Sequence, residues 1–501
     1  MIKKLSLLTL LVPFIFSTSV SAMKVSTLAD ETATYAVETY KEDMINSLAQ
    51  LVKHNTVAVE GLPSPENPVH VAFKQELKKQ AAALGLDFKD DGFVVIIGLG
   101  NSTDRVGIIT HGDVQPANPK KWKQSPYTLD LTSKPGTIIG RGTEDDKGPI
   151  STALYAMKAI KDKSIKLNKR LELYIYMAEE SDWAPLEEYI KTHDLPQMNI
   201  TIDAEYPVVT AEKGYGTISL TFPNKTVNTQ QAYLESFTGG FFGSQIPEDA
   251  TAIIENASVE LLQQVINKAK SYKNIGFDFD LTDQVLTIKA LGKSAHSSKP
   301  EDGVNAITYL ADLISFKHWP ANTSGALVNF INDNIGTGLY ADKFGKLAFK
   351  DDFMGPLTLS PTVLKQLDNG MQLNINIRRP RGKDTSTLKA QVIKTVYDWS
   401  SSNQFTITDL KTVVKEPWVQ DDAPQVDTLL SIFSHYTGIK DAKPISIGGG
   451  TNSRMFPHAV SFGPSMPNTE YTGHTESEFI TIEQFTLNLK MYTAAFIELA
   501  K

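Results

Sequence analysis

The feature that most constrains this chain is a series of apolar stretches that each run into metal-binding residue types. Residues 106–109 lead to His111-Gly112-Asp113, residues 171–177 to Glu179-Glu180, and residues 198–202 to Asp203. Between the first two lies Gly140-Arg141-Gly142-Thr143-Glu144-Asp145-Asp146-Lys147-Gly148. Divalent cations need deprotonated nitrogen and oxygen ligands that converge on one point, and the carboxyl ends of neighbouring strands deliver side chains to one sheet edge. The pattern therefore points to a hydrolytic centre built around two metals.

The first residues read as a targeting segment. Lys3-Lys4, an apolar run over residues 5–16 and the small-residue step Val20-Ser21-Ala22 predict cleavage after Ala22 and an exported mature protein. The bacterial style of the signal puts the periplasm first and secretion second. No later window offers about eighteen uninterrupted apolar residues, so the processed chain is expected to stay off the membrane. Cysteine is absent, which excludes disulfides, thiol catalysis and thiolate ligands and leaves His, Asp and Glu to carry any metal. With 49 Lys+Arg against 57 Asp+Glu, a net charge of −8 argues against a nucleic-acid partner, which would demand a basic face.

A length of 501 residues favours two domains over one core. Over residues 23–210, Phe73, Leu77, Ala81 and Leu84 recur at helical spacing, and 93–97, 106–109, 171–177 and 198–202 read as buried strands. Pro149 is expected to open a helix with Ile150, Ala153, Leu154, Met157 and Ile160 as its apolar stripe. This alternation predicts an α/β catalytic domain whose mixed, mostly parallel sheet is sandwiched by helices. Residues 211–414 change texture, with alternating strands at 217–220 and 372–377 and an amphipathic helix at 304–316, and are read as an inserted α+β lid domain. Residues 415–501 restore the first texture through a strand at 444–447 and the loop Gly448-Gly449-Gly450-Thr451, as if completing the sheet.

Plainer readings stand beside the chemical ones. Asp145-Asp146 also suits the cap of the following helix, because carboxylates favour helix N-termini. Glu179-Glu180 also suits a solvated pair, although adjacent carboxylates repel unless a cation or proton lies between them. Asp113 could orient His111 or a neighbouring ligand. His296 also suits a surface or capping role, Arg378 an exposed strand position, and the glycine loop a tight turn. The remaining histidines, at 54, 70, 193, 318, 435 and 458, sit in no ligand-like context.

Taken together, His111-x-Asp113, the 140–148 segment, Glu179-Glu180, Asp203-Ala204-Glu205, Gly292-Lys293-Ser294-Ala295-His296 and the late His474 resemble the co-catalytic zinc exopeptidase family. That family includes aminoacylase, carboxypeptidase G and the carnosinase-like dipeptidases, and the resemblance is nearest to its peptidase V branch. The resemblance implies that His111 and Asp203 bind one metal, Glu180 and His474 the other, and that Asp145 bridges both. It further implies that Asp113 orients His111 and that Glu179 is the general base toward a water between the metals. By the same resemblance His296 donates to the oxyanion when the lid closes, Arg378 grips the substrate carboxylate, and Gly449, Gly450 and Thr451 cradle it through backbone N–H groups.

The implied activity is that of an exported dipeptidase, with N-acyl amino acid amidohydrolase or carboxypeptidase as the close variant and peptide sequestration without turnover as the rival class. Two divalent ions are expected, zinc first, with manganese or cobalt also compatible with His and carboxylate ligands. A monomer is expected, because a large lid supplies His296 within one chain. One departure bears on specificity: peptidase V-like chains carry an asparagine where this chain has Ser244 in Ser244-Gln245-Ile246-Pro247. Gly292-Lys293-Ser294 lacks the glycine of a phosphate-binding loop, since Thr287 stands there, and no Gly-x-Ser-x-Gly elbow is present.

Overall fold

The computed structural model describes residues 25–501, so the leader expected at residues 1–22 lies outside the described residues. Strict alternation in the central strands decides the layering. In Arg170–Tyr176, Leu171, Leu173 and Ile175 join the large core, whereas Tyr174 and Tyr176 face a smaller one. A strand whose two faces are both apolar must be covered on both sides. The helices Thr27–Val52, Lys147–Asp162 and Ile482–Ala500 pack together over the first face, and Ala184–Thr192 covers the second.

Nine strands make this sheet. Its order begins Asp87–Asp90, Val94–Leu99, Arg170–Tyr176, Arg105–His111, Met198–Thr201 and Val460–Ser461, then passes to Val209–Glu212 and Trp418–Val419, with Ile445–Ile447 also on Val209–Glu212. The middle is parallel: Arg105–His111 runs alongside both Arg170–Tyr176 and Met198–Thr201, with His111 opposite Tyr176 and Ile109 opposite Thr201. Both flanks contain antiparallel pairs. Because the middle strands share a direction, the residues after each emerge at one edge.

The chain leaves this sheet after Glu212, enters another at Gly214, and returns at Trp418, which pairs with Glu212. Residues 214–414 form two four-stranded antiparallel sheets with their own apolar core, which includes Ile218, Phe222, Ile288, Phe330 and Ile375. The amphipathic helix expected at 304–316 is shorter, Ala306–Leu313, because Asn305 caps its start through Ile307 N and Thr308 N, while the chain turns out at Ile314 and leaves Phe316 exposed.

Pro149 lies in the first turn of its helix, as expected, but does not open it. The helix begins at Lys147, two residues earlier, because Gly148 N–H already turns back to the Gly142 carbonyl at 3.1 Å and Ile150 N–H to that of Asp146 at 3.2 Å. Nor do the neighbouring carboxylates cap it, since Asp146 makes no side-chain capping bond. This tight entry requires glycine: Gly142 has φ +88°, and a Cβ on Gly148 would lie 2.1 Å from the Thr143 carbonyl oxygen. Gly148→Ala is therefore expected to cost about 1–3 kcal/mol. Equilibrium denaturation should show the midpoint falling, and an unchanged midpoint would contradict the close approach.

Candidate metal centre

Asp145 stands between two groups of ligands. His111 Nε2 lies 2.9 Å from Asp145 Oδ1 and 3.6 Å from Asp203 Oδ1, and His474 Nε2 lies 3.1 Å from Asp145 Oδ2 and 2.8 Å from Glu180 Oε1. The donor atoms of His111, Asp145 and Asp203 lie within 4.8 Å of one another, and so do those of Asp145, Glu180 and His474. Ligands about 2.0–2.2 Å from a tetrahedral ion are separated by roughly 3.3 Å, so both triads fit one divalent cation each. One carboxylate offers a different oxygen to each triad.

Five segments of the chain supply these side chains. His111 ends its strand, Glu180 and Asp203 follow the two flanking parallel strands, Asp145 sits in the loop before Lys147–Asp162, and His474 arrives from the late loop before Phe479–Thr481. Asp113 serves more than one of them. Its carbonyl faces His111 Nδ1 at 3.0 Å, while its carboxylate accepts the backbone N–H groups of Glu179 and Glu180, both at 3.0 Å. A single aspartate thus ties the first strand end to the second.

Electrostatics shows strong mutual perturbation in a buried site. Burial alone would neutralise Asp145, yet hydrogen bonds from His111 and His474 outweigh it and hold this carboxyl well below its usual range. Burial likewise opposes charge on His474, but Glu180 and Asp145 prevail and push it up to about 10. Asp203 is pushed up to about 6, by burial first, against the pull of His111. Glu179 is raised well above the carboxylate range, by burial first and then by Asp203, with Glu180 and Asp113 adding to it. Carboxylates crowded in this way call for a compensating cation.

The inserted segment reaches the same site. His296 lies in the short strand Ala295–His296, and its ring centroid is 4.5 Å from that of His474. Ser298 N–H donates to His296 Nδ1 at 3.1 Å, which leaves the proton of the neutral ring on Nε2. Burial, then His474 and Arg378, hold that imidazole well below its ordinary value and so neutral. Arg378 is buried rather than exposed, and donates to Asn376 Oδ1 at 3.0 Å, Ser297 Oγ at 3.1 Å and the Gly448 carbonyl at 3.3 Å. Together with Glu179, Ser244, Gly449, Gly450 and Thr451 these residues line a cavity of about 670 Å³.

Thr451 departs from expectation. Its N–H and hydroxyl both donate to Glu212 Oε1, at 3.0 and 2.7 Å, so its donors are committed inside the protein and cannot cradle a substrate carboxylate. Glu478 is the residue that sequence reasoning missed. Fully buried, it accepts Arg141 Nη1 at 2.9 Å and the backbone N–H groups of Gly142, Glu144 and Asp145 at 3.0, 2.9 and 3.0 Å. No local pattern announces a contact made across more than three hundred residues. Tyr471 was also unforeseen; its hydroxyl donates to Asp145 Oδ2 at 2.7 Å. His70, by contrast, is a packing residue as expected, buried between Ser64 and the Thr56 carbonyl.

A model of peptidase family M20/M25/M40 matches residues 107–498. The chain belongs to that family. It is therefore a metal-dependent peptidase. YtjP of Bacillus subtilis is 30% identical over 471 residues, covering 92% of this peptidase and 98% of that protein. The Beta-Ala-Xaa dipeptidase of Lactobacillus delbrueckii subsp. lactis is 31% identical over 409 residues, 81% and 84% of the two chains. Among solved structures, human carnosine dipeptidase 1 shares the fold with a TM-score of 0.57 at 16% identity, covering 95% of this peptidase and 99% of that chain. Dug1p, a di-peptidase of Saccharomyces cerevisiae, does so with 0.56 at 14%, with the same coverage.

Glu478 anchors the loop that presents Asp145, so Glu478→Gln, which sets an amide among N–H donors, should weaken metal binding by about 10- to 100-fold. Calorimetric titration of chelator-stripped protein with zinc measures this, and an unchanged affinity would contradict the assignment.

Proposed function

We propose that this peptidase is an exported dipeptidase that holds two divalent cations, zinc foremost and manganese or cobalt in its place, and cleaves the single peptide bond of small substrates. The observation that carries the reading is Asp145, whose two oxygens serve two different ligand triads. His111, Asp145 and Asp203 would hold one cation, and Asp145, Glu180 and His474 the other. Bound there, the cations supply Lewis acidity that polarises the scissile carbonyl and lowers the pKa of the attacking water.

The chain's own residues do the rest. Glu179 takes the proton of the attacking water and returns it to the leaving amine, a role that its burial and raised pKa support. His296, neutral with its proton on Nε2, donates to the developing oxyanion. Arg378 receives the C-terminal carboxylate beside Gly449 and Gly450, and its burial supports this because a desolvated guanidinium grips an anion strongly. Residues 214–414 act as a lid that is closed here. The ion pairs Lys299–Glu205 at 2.8 Å and Lys121–Glu248 at 2.6 Å, which join the lid to the rest of the chain, favour that state. Because His296 reaches the ligands of its own chain, we read the enzyme as a monomer.

The names of its relatives support dipeptides as substrates. Export to the periplasm, with secretion as second choice, rests on Lys3-Lys4, the apolar run after them and Val20-Ser21-Ala22. Among the described residues no helix is long and apolar enough to cross a membrane.

A panel of dipeptides, tripeptides and N-acyl amino acids tests the substrate class, with preferential turnover of dipeptides expected and exclusive turnover of N-acyl amino acids contrary. Chelation by EDTA should abolish activity, and zinc or manganese should restore it. Glu179→Gln should lower kcat by about 10²- to 10⁴-fold while bound metal, measured by elemental analysis, stays at the wild-type level. Wild-type turnover in that variant would remove Glu179 from its role.

A further inference from the structure

Beyond the metal ligands, the cavity wall carries buried positive charge that its buried carboxylate balances only in part. Lys213, Arg378 and Arg454 all line it, and Lys213 and Arg378 are only 8% and 4% exposed. Burial and then the neighbouring Arg378 lower the pKa of Lys213. Arg378 itself is lowered to about 10, by burial above all, with Arg454 adding to the effect. These cations therefore feel one another.

Their partners are mainly neutral. Lys213 Nζ donates to the Pro356 carbonyl at 2.6 Å, and Arg378 to an amide, a hydroxyl and a carbonyl, with its guanidinium 4.9 Å from the centre of the Tyr215 ring. The carboxylate set among them is Glu212, fully buried and engaged by Arg454 Nε at 3.0 Å and by Thr451. Arg454 Nη2 is buried with no hydrogen-bond partner among the described residues. Glu301 acts on Lys213 only from an exposed position, and Lys299 is already matched by Glu205. Three cations thus face one internal anion, and desolvated charge without a counter-charge is costly.

The α-carboxylate of a peptide offsets one of the two surplus charges. We propose that a second carboxylate, on the side chain of the substrate's C-terminal residue, offsets the other, so that the enzyme prefers dipeptides ending in glutamate or aspartate. Arg378 then holds the α-carboxylate and Lys213 the side chain, while hydrolysis consumes one water and releases two free amino acids. This inference rests on the dipeptidase reading and adds to it the acidic class of the leaving residue.

The test compares Ala-Glu with Ala-Gln, which differ by a carboxylate against an amide of similar shape, with Ala-Ala as reference. Wild-type kcat/KM should favour Ala-Glu over Ala-Gln by about tenfold or more, and Lys213→Gln should bring that ratio towards one. Equal or better turnover of Ala-Gln by the wild type overturns the inference and leaves the dipeptidase reading intact, whereas no turnover of any of the three removes both. A full preference kept by folded Lys213→Gln also overturns it. Product inhibition of the wild type gives a reading that needs no variant: glutamate should inhibit Ala-Ala hydrolysis more strongly than glutamine, and equal inhibition counts against the acidic subsite.

Discussion

The rest of the site depends on how Asp145 is held. Its side chain is the one shared member of both ligand triads, so its backbone must be fixed in position before either cation can bind well. Glu478 does this by accepting three N–H groups of one short loop, those of Gly142, Glu144 and Asp145, together with Arg141 Nη1. Glu144 adds a second anchor through Ser465 Oγ and Thr472 N–H at 2.8 and 2.7 Å. The carboxylates of Glu144 and Glu478 stay buried because both oxygens of each accept hydrogen bonds, and the donors come from both ends of the chain.

Much of this was legible in the sequence because the chemistry sits where strands stop. An apolar run identifies a buried strand, and a His or carboxylate just after it has few reasons to be there other than to bind or react. His111, Glu180 and Asp203 were readable on those grounds, and the family resemblance connected them to Asp145 and His474. The start of the helix at Lys147 was misread because Pro149 is an attractive opening residue, while the hydrogen bond from Gly148 to Gly142 that decides the matter is a loop property. Glu478 and the commitment of Thr451 to Glu212 were not legible, since each depends on a contact between distant segments.

The insert contributes a different kind of order. It brings a neutral imidazole and a buried guanidinium to the edge where the ligand triads lie, and Arg378 there lines one cavity with Lys213 and Arg454, with Glu212 the buried carboxylate that Arg454 engages. Negative charge accumulates at the ligand triads and positive charge beside the glycine loop. A short peptide in this cavity would meet both: the scissile carbonyl at the carboxylate cluster, the anionic end at the cationic wall. On the proposed reading, catalytic geometry and substrate choice come from separate parts of one cavity.

The most direct measurement is diffraction from zinc-soaked crystals with data taken across the zinc absorption edge. The account predicts two anomalous peaks about 3.5–4 Å apart, one on each side of the Asp145 carboxylate, with His111 and Asp203 around the first and Glu180 and His474 around the second. A single peak, or two peaks that do not share Asp145, would contradict it.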